Sequence, residues 1–354
     1  MRTSKPIARL AVLVALVACS SAVPSSSLTS GPSAASPGAS VSPTAVPTPV
    51  PPPPPTAGPT AVPTPVPPPP PPPPAVPTAV PTPVPPPPPV ILAAGDIASG
   101  GAGSGASETA LILQSLPGAT VLTLGDNAYP DGTLSDFQNN YGPTWGIAKI
   151  RTQPAMGNHD YNCCPDAAGA GGYFGFGKGP LYYTYTLGTW KIIALDAGIC
   201  YSRQTAACDA GFAQELWLKA QLATNPTACT LLYWHQPRWS SGSTHGSDQG
   251  MKAFWDDAVA ASADIVLNGH DHLYERFAPM DANGNASATG VREFVVGTGG
   301  AGLYGFGTPL GASQFRDSSN LGVLKLTLRV GAYDWAFLPV GGGPALDAGS
   351  GTCN

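Results

Sequence analysis

Hydrophobic residues in this chain fall into short runs, and most of the runs end in a small group of polar side chains. The runs at 90–94 and 121–124 are apolar at nearly every position rather than at alternate ones, as expected of strands covered on both faces, and 152–156, ending at Met156, reads as a third strand. Residues 182–187 and 190–195 flank Gly188-Thr189 and read as a hairpin. Runs at 229–234, 264–267 and 292–296 repeat the buried-strand pattern, and 322–330 turns back on 333–338 through Gly331-Ala332. Helical spacing predicts helices over 107–116, where a serine caps the start, and over 210–222 and 248–261. Helices alternate with strands first, and hairpins follow. The expected product is an α/β fold, a layered α/β sandwich with two mixed β-sheets flanked by helices, and residues 90–354 are enough for it as one domain.

The chain upstream is different. Arg2, Lys5 and Arg9 precede an apolar run over 10–18 that is too short to span a bilayer and reads as an export signal. Leu16-Val17-Ala18-Cys19 resembles a bacterial lipobox, so 1–19 is expected to be a lipoprotein-type leader ending at a lipidated Cys19; an ordinary signal peptide containing a cysteine is the alternative. From 20 to 89 no residue is charged, and three near-copies of Thr-Ala-Val-Pro-Thr-Pro-Val begin at Thr44, Thr60 and Thr78. Such a segment cannot bury a core and is expected to stay disordered over its Ser/Ala part and stiff where proline dominates. A polyproline II stalk over 46–89 would reach on the order of 130 Å. A cell-envelope lipoprotein with its domain held out through a cell wall, or a secreted protein, fits this order; a plain spacer or a ligand for a proline-binding module is the rival reading.

Seven cysteines are an odd number for an exported chain. Lipid on Cys19 leaves Cys163, Cys164, Cys200, Cys208, Cys229 and Cys353, enough for three disulfides. Cys200 with Cys208 is the preferred pair. Adjacent Cys163 and Cys164 would bond separate partners or, less commonly, each other. Without the three cations of the leader, 13 basic residues face 21 acidic ones, so a nucleic-acid-binding surface is not expected.

The chemistry sits where the strands end. Gly95-Asp96, Gly125-Asp126-Asn127-Ala128-Tyr129, Gly157-Asn158-His159-Asp160, Trp234-His235 and Gly269-His270-Asp271-His272 each follow an apolar run. They hold four of the chain's five histidines; the fifth is His245. Loops at the carboxyl ends of strands converge at one edge of such a fold. Pooled there, Asp96, Asp126, Tyr129, Asn158, His235, His270 and His272 make an imidazole, carboxylate, phenol and amide set without thiolate, which suits Fe, Mn or Zn. Seven donors are too many for one open catalytic ion and suit two ions sharing a carboxylate.

In this order the motifs resemble those of the calcineurin-like metallophosphoesterase superfamily, and Tyr129 within its motif resembles the purple acid phosphatase branch. The resemblance covers roughly 90–340 and implies the metallophosphoesterase fold. It further implies that Asp96, Asp126, Tyr129 and His272 hold one ion, Fe(III) in that branch, with Asp126 bridging. Asn158, His235 and His270 would hold the second, Zn, Mn or Fe(II). Asp96 is followed by Ile97-Ala98, where the wider superfamily often carries a histidine, so Tyr129 is the natural replacement ligand.

The expected activity is hydrolysis of phosphate monoesters by metal-activated hydroxide, on a small phosphorylated substrate. His159 would assist the leaving group as general acid or phosphoryl-oxygen stabiliser, and neighbouring Asp160 would fix its tautomer and raise its pKa. His245 is expected to contact substrate, as is Arg238, on weaker grounds. The insert over 161–185 is expected to form one wall of the pocket. Two rival readings stay open: a phosphodiesterase or nucleotidase using the same site, and a non-catalytic surface binding head.

Overall fold

The computed structural model describes residues 86–176, 179–203, 205–224 and 229–354, with Pro52, Gly58 and 67–70 upstream. The leader and nearly all of the stalk expected over 1–89 lie outside the described residues. The residues described from 86 onward belong to one unit, Val80–Asn354, the second of two into which the chain divides. The second unit carries both β-sheets.

In chain order its strands are β1 (Val90–Ala94), β2 (Thr120–Leu124), β3 (Thr152–Ala155), β4 (Tyr183–Leu187), β5 (Trp190–Ala194), β6 (Cys229–Tyr233) and β7 (Ile265–Asn268). Then come β8 (Tyr274–Met280), β9 (Val291–Val296), β10 (Ser313–Asp317), β11 (Gly322–Arg329), β12 (Ala332–Pro339) and β13 (Asp347–Thr352). The helices are α1 (Gly105–Ser115), α2 (Leu134–Asp136), α3 (Ala168–Phe174), α4 (Gly198–Arg203), α5 (Ala213–Ala223) and α6 (Lys252–Ala260). One sheet runs β13-β12-β11-β1-β2-β3 and the other β10-β8-β9-β7-β6-β5-β4, and both mix parallel and antiparallel pairs.

The apolar runs are continuous because both faces of their strands are covered. Ile192 and Leu231 join Ile91, Leu122 and Leu324 of the first sheet in one core, while their neighbours Ile193 and Leu232 face Phe254 and Trp255 of α6 in another. A period of two thus places successive apolar residues in two separate cores.

Every strand expected from the hydrophobic pattern is present, with ends shifted by a residue or two. Three strands lacked a signal. β8 carries Glu275 and Arg276 directly after the histidine motif, β10 is polar, and β13 reads Asp-Ala-Gly-Ser-Gly-Thr. β13 exists because it pairs with β12, and its glycines are needed there: a Cβ at Gly349 would stand 2.3 Å from the Trp335 ring. The expected helix over 248–261 begins with a 3-10 turn, Gln249–Met251, capped by Asp248, before α6.

Three disulfides join Cys200–Cys208, the preferred pair, Cys229–Cys353, and Cys163–Cys164. Of the two pairings left open for Cys163 and Cys164, the structure shows the less common one: they bond each other. Cys229–Cys353 ties the start of β6 to the chain end across 124 residues, a loop whose closure is worth roughly 4–5 kcal/mol on a chain-entropy estimate. Among the described residues no helix is long and apolar enough to cross a membrane.

Candidate metal centre

β1, β2 and β3 run parallel in the first sheet, and β5, β6 and β7 run parallel in the second. Their carboxyl ends therefore deliver Asp96, Asp126, Asn158, His235 and His270 to one edge, and His272 follows two residues later. The turns that do this are strained. Asp96 (φ 59°), Asp126 (φ 50°) and His270 (φ 70°) are three of the five non-glycine residues in the left-handed region among the described residues. Such conformations persist where the surroundings over-determine them, commonly at functional sites. Asp126 also needs Gly157 beside it, since a Cβ there would lie 2.1 Å from Asp126 Oδ1.

Four donor atoms then meet. Tyr129 Oη lies 3.1 Å from Asp96 Oδ1, 3.2 Å from Asp126 Oδ2 and 3.2 Å from His272 Nε2. His272 Nε2 is 3.3 Å from Asp96 Oδ1. On the other side of Asp126, His235 Nε2 lies 3.3 Å from Oδ2, and His270 Nδ1 lies 3.2 Å from His235 Nε2. Asp96, Asp126 and His235 present ligand atoms all within 4.8 Å of one another.

Hydrogen bonding alone does not satisfy this set. The Nδ1 atoms of His235 and His272 each face a carbonyl oxygen at 2.7 Å, Leu124 O and Gly302 O, and a carbonyl only accepts. Both Nδ1 atoms therefore carry hydrogen, so Nε2 is the atom each ring turns toward a carboxylate, as an N–H while the ring is protonated and as a lone pair once it is neutral. The single Tyr129 proton serves one of its three neighbours. The buried Asn158 Oδ1 has no hydrogen-bond partner. Oxygen and nitrogen donors brought this close call for positive charge between them, which protons or cations can supply, and the two groups of donors on either side of Asp126 fit two cations.

Without cations, protons on the histidines supply that positive charge. Burial would raise Asp126, yet the facing His235, with His159 and His270, pulls it below the ordinary carboxylate range. Burial would lower His235, and the Asp126 carboxylate instead holds it up at about 9. Burial, then Asp126 and Asp96, push the Tyr129 phenol well up. Burial and the neighbouring His235 and His245 push His270 well down, leaving it a neutral imidazole.

His159 lies beside these donors. Its main-chain N–H donates to Asp126 Oδ1 at 2.8 Å, its Nε2 is 4.0 Å from Asp126 Oδ2, and its side chain is 33% exposed. Asp160 does not orient it. The Asp160 carboxylate, fully buried, accepts from Gly157 N at 2.9 Å and from Asn127 Nδ2 at 2.8 Å and Asn127 N at 3.1 Å. The His159 ring is held by Pro130 O, 2.7 Å from Nδ1. Adjacent residues on a 3-10 turn point apart, so sequence adjacency misassigned this pair.

His245 is exposed and stacks on His270 with ring centres 4.1 Å apart. Arg238, expected at the phosphate, lies elsewhere. Its guanidinium covers the Trp239 ring at 3.9 Å, and the carboxylates acting on it are Glu293, Asp256 and Asp248, none from the cluster. The insert over 161–185 turns Tyr173 and Phe174 onto Phe137 and Tyr141. Its contact with the cluster comes through Asn162, whose Nδ2 is 3.3 Å from His159 Nδ1.

Three neighbours were not legible in the sequence. Tyr304 lies flat on His272, centres 4.0 Å apart and planes 9° apart, and Tyr201 of α4 meets His270 edge-on at 4.9 Å. Asp271, between the two motif histidines, accepts from Ser240 Oγ, Gly246 N and His245 N and so tethers the loop that carries His245. Only its place inside the Gly-His-Asp-His motif could have singled it out.

Comparison with known proteins places the chain. The model of the family described as calcineurin-like phosphoesterase matches residues 78–274. Purple acid phosphatase 15 of Arabidopsis thaliana is 27% identical over 218 residues, which cover 51% of this chain and 40% of that protein. Purple acid phosphatase 18 of the same plant is 29% identical over 125 residues, 34% of this chain and 27% of its own length. The chain thus spans less than half the length of these curated relatives. The purple acid phosphatase from yellow lupin (Lupinus luteus) seeds shares the fold with a TM-score of 0.63 at 20% identity, over 75% of this chain and 53% of that one.

Proposed function

The chain belongs to the calcineurin-like phosphoesterase family, and from that premise we propose that it is an exported dinuclear-metal phosphatase acting on phosphate monoesters. The observation that carries this reading is the convergence of Tyr129 Oη with Asp96, Asp126 and His272, three acceptors around one phenolic proton. In this reading Asp96, Tyr129 and His272 hold one ion, Asn158, His235 and His270 hold the other, and Asp126 reaches both. Fe(III) suits the tyrosine side, and Zn, Mn or Fe(II) suits the histidine side. When bound, the two ions acidify water and offset charge on the phosphoryl group.

The remaining chemistry is the protein's own. Pro130 O fixes the Nδ1–H of His159, so Nε2 is the atom that carries and hands over a proton to the leaving oxygen. His245 and the Tyr201 ring stand over His270 from the exposed side, where a substrate would enter. Export is supported by the three disulfides and the leader, and the stalk with lipidated Cys19 would hold the domain at the cell envelope.

Metal analysis and a visible spectrum of the purified protein test this. The expected result is about two metals per chain, about one of them iron, with a broad visible charge-transfer band that disappears in Tyr129→Phe. Such a preparation should release phosphate from p-nitrophenyl phosphate faster than p-nitrophenol from its bis-ester. The opposite order would make it a diesterase. Two metals without the band would remove the iron–tyrosine part, and no metal after reconstitution would overturn the reading.

A further inference from the structure

β5 runs parallel to β6 and ends at the same sheet edge, but the carboxylate it delivers is not part of the cluster. Asp196 is 4% exposed and stands beside a cavity of about 390 Å³. The Tyr161 hydroxyl donates to its Oδ2, and Ile199 N is 3.4 Å from its Oδ1. The remaining walls are largely apolar, with Leu181 and Ile199 inside and Phe212, 48% exposed, at the mouth. Asp166 adds a second carboxylate at the exposed rim, and no Lys, Arg or His is among the lining residues described.

The site is held in shape from several sides. Gln214 clamps the Asp196 main chain, accepting from its N–H at 2.7 Å and donating to its carbonyl at 3.0 Å. Cys200–Cys208 staples the segment that carries Ile199 and Ala207. Burial lifts the Asp196 carboxyl to about 6, against the opposing Tyr161 hydrogen bond, so it is still ionised at neutral pH. A buried carboxylate without a protein cation is costly unless something else compensates it. The cavity volume is within the range of small-molecule sites, and the carboxyl edge of parallel strands is where such folds bind ligands.

We propose that this cavity binds a small organic amine, its ammonium directed to Asp196 and its apolar body packed against Leu181, Ile199 and Phe212. The site is separate from the metal donors, and it holds whether or not the chain hydrolyses phosphoesters. Tyr161 nonetheless closes the 3-10 turn His159–Tyr161, so an amine sharing Asp196 with the Tyr161 hydroxyl touches the turn that carries His159.

Titration calorimetry of the intact protein at neutral pH with phenethylamine, 2-phenylethanol and 3-phenylpropionate is the test. The amine should bind saturably and the alcohol and acid should not. Asp196→Asn should weaken the amine by about tenfold or more, since it removes a charge-assisted contact. Ala207→Trp, which fills the cavity from another wall and leaves Asp196 in place, should abolish binding. Absence of saturable amine binding, equal binding of the alcohol, or an affinity unchanged by Asp196→Asn would overturn the proposal. Should Asp196→Asn not fold, binding that survives Ala207→Trp does the same.

Discussion

Asp126 and Asp160 are both buried aspartates, 2% and 0% exposed, on two loops that touch. Their partners differ in kind. Asp160 is met by three N–H donors, two from Asn127 and one from Gly157, and so pins the Asn127 loop to the Gly157 turn. Asp126 accepts one main-chain N–H, from His159, while its Oδ2 faces the Tyr129 hydroxyl and the His235 imidazole. Burial and the neighbouring Asp126 push Asp160 up to about 7 in spite of its N–H donors, whereas the histidines outweigh burial at Asp126 and draw it down. Buried carboxylates of the same type are thus told apart by what surrounds them. One is enclosed by N–H donors of the protein and is structural; the other stands among groups that could hold a metal ion.

The same substitution at both positions is the sharpest way to break this contrast. Asp126→Asn should leave a folded protein with less than about one metal per chain and roughly a thousandfold less phosphoester hydrolysis, read by elemental analysis and turnover. Retention of both would put Asp126 in the class of Asp160. His159 comes next, since it follows Asp126 through its backbone and adjoins Asp160 only in sequence. His159→Ala should keep the metals and lower kcat by about a hundredfold or more; a matching loss of metal would make it a ligand instead. Asp160→Asn turns an amide toward existing donors and should lower stability by about 2–4 kcal/mol with the metals retained in the folded fraction, read by urea denaturation and elemental analysis.

Asp196 extends the comparison to a third buried carboxylate, with the smallest effect. Its folded pKa, about 6, lies above the ordinary value of 3.8. The folded state therefore binds this proton more tightly than the unfolded state, and the group disfavours folding increasingly as pH rises from about 4 to 6. Asp196→Asn should accordingly gain on the wild type by up to about 3 kcal/mol between pH about 4 and 7, followed by thermal unfolding across that range. A difference independent of pH would mean that the carboxyl is not held protonated by burial.

Much of the site was legible because metal donors placed after apolar runs are an uncommon pattern, and the topology turns strand ends into neighbours. The assignment of Asp160 to His159 failed for a physical reason. On a 3-10 turn, neighbouring residues diverge, and the carbonyl of Pro130, far away in sequence, took the role. Arg238 failed similarly: its backbone follows the His235 turn, but its side chain turns onto Trp239. Tyr201 and Tyr304 left no trace, because an exposed tyrosine on a glycine-rich loop or a short helix looks the same whether it faces water or a histidine ring.

Local chemistry, carried by the order of residues alone, determined the strands buried on both faces, the two-sheet α/β class, the strand-end donor motifs and the Cys200–Cys208 pair. Each depends on residues close in sequence or on a period of two that survives any packing. Tertiary structure alone decided that β13 is a strand, that Cys163 bonds Cys164, which partners each buried carboxylate meets, and that Asp196 stands beside a cavity. These depend on pairings that no local pattern specifies, as of β13 with β12 or of Tyr129 with Asp96 and His272, or on which way a side chain leaves a turn.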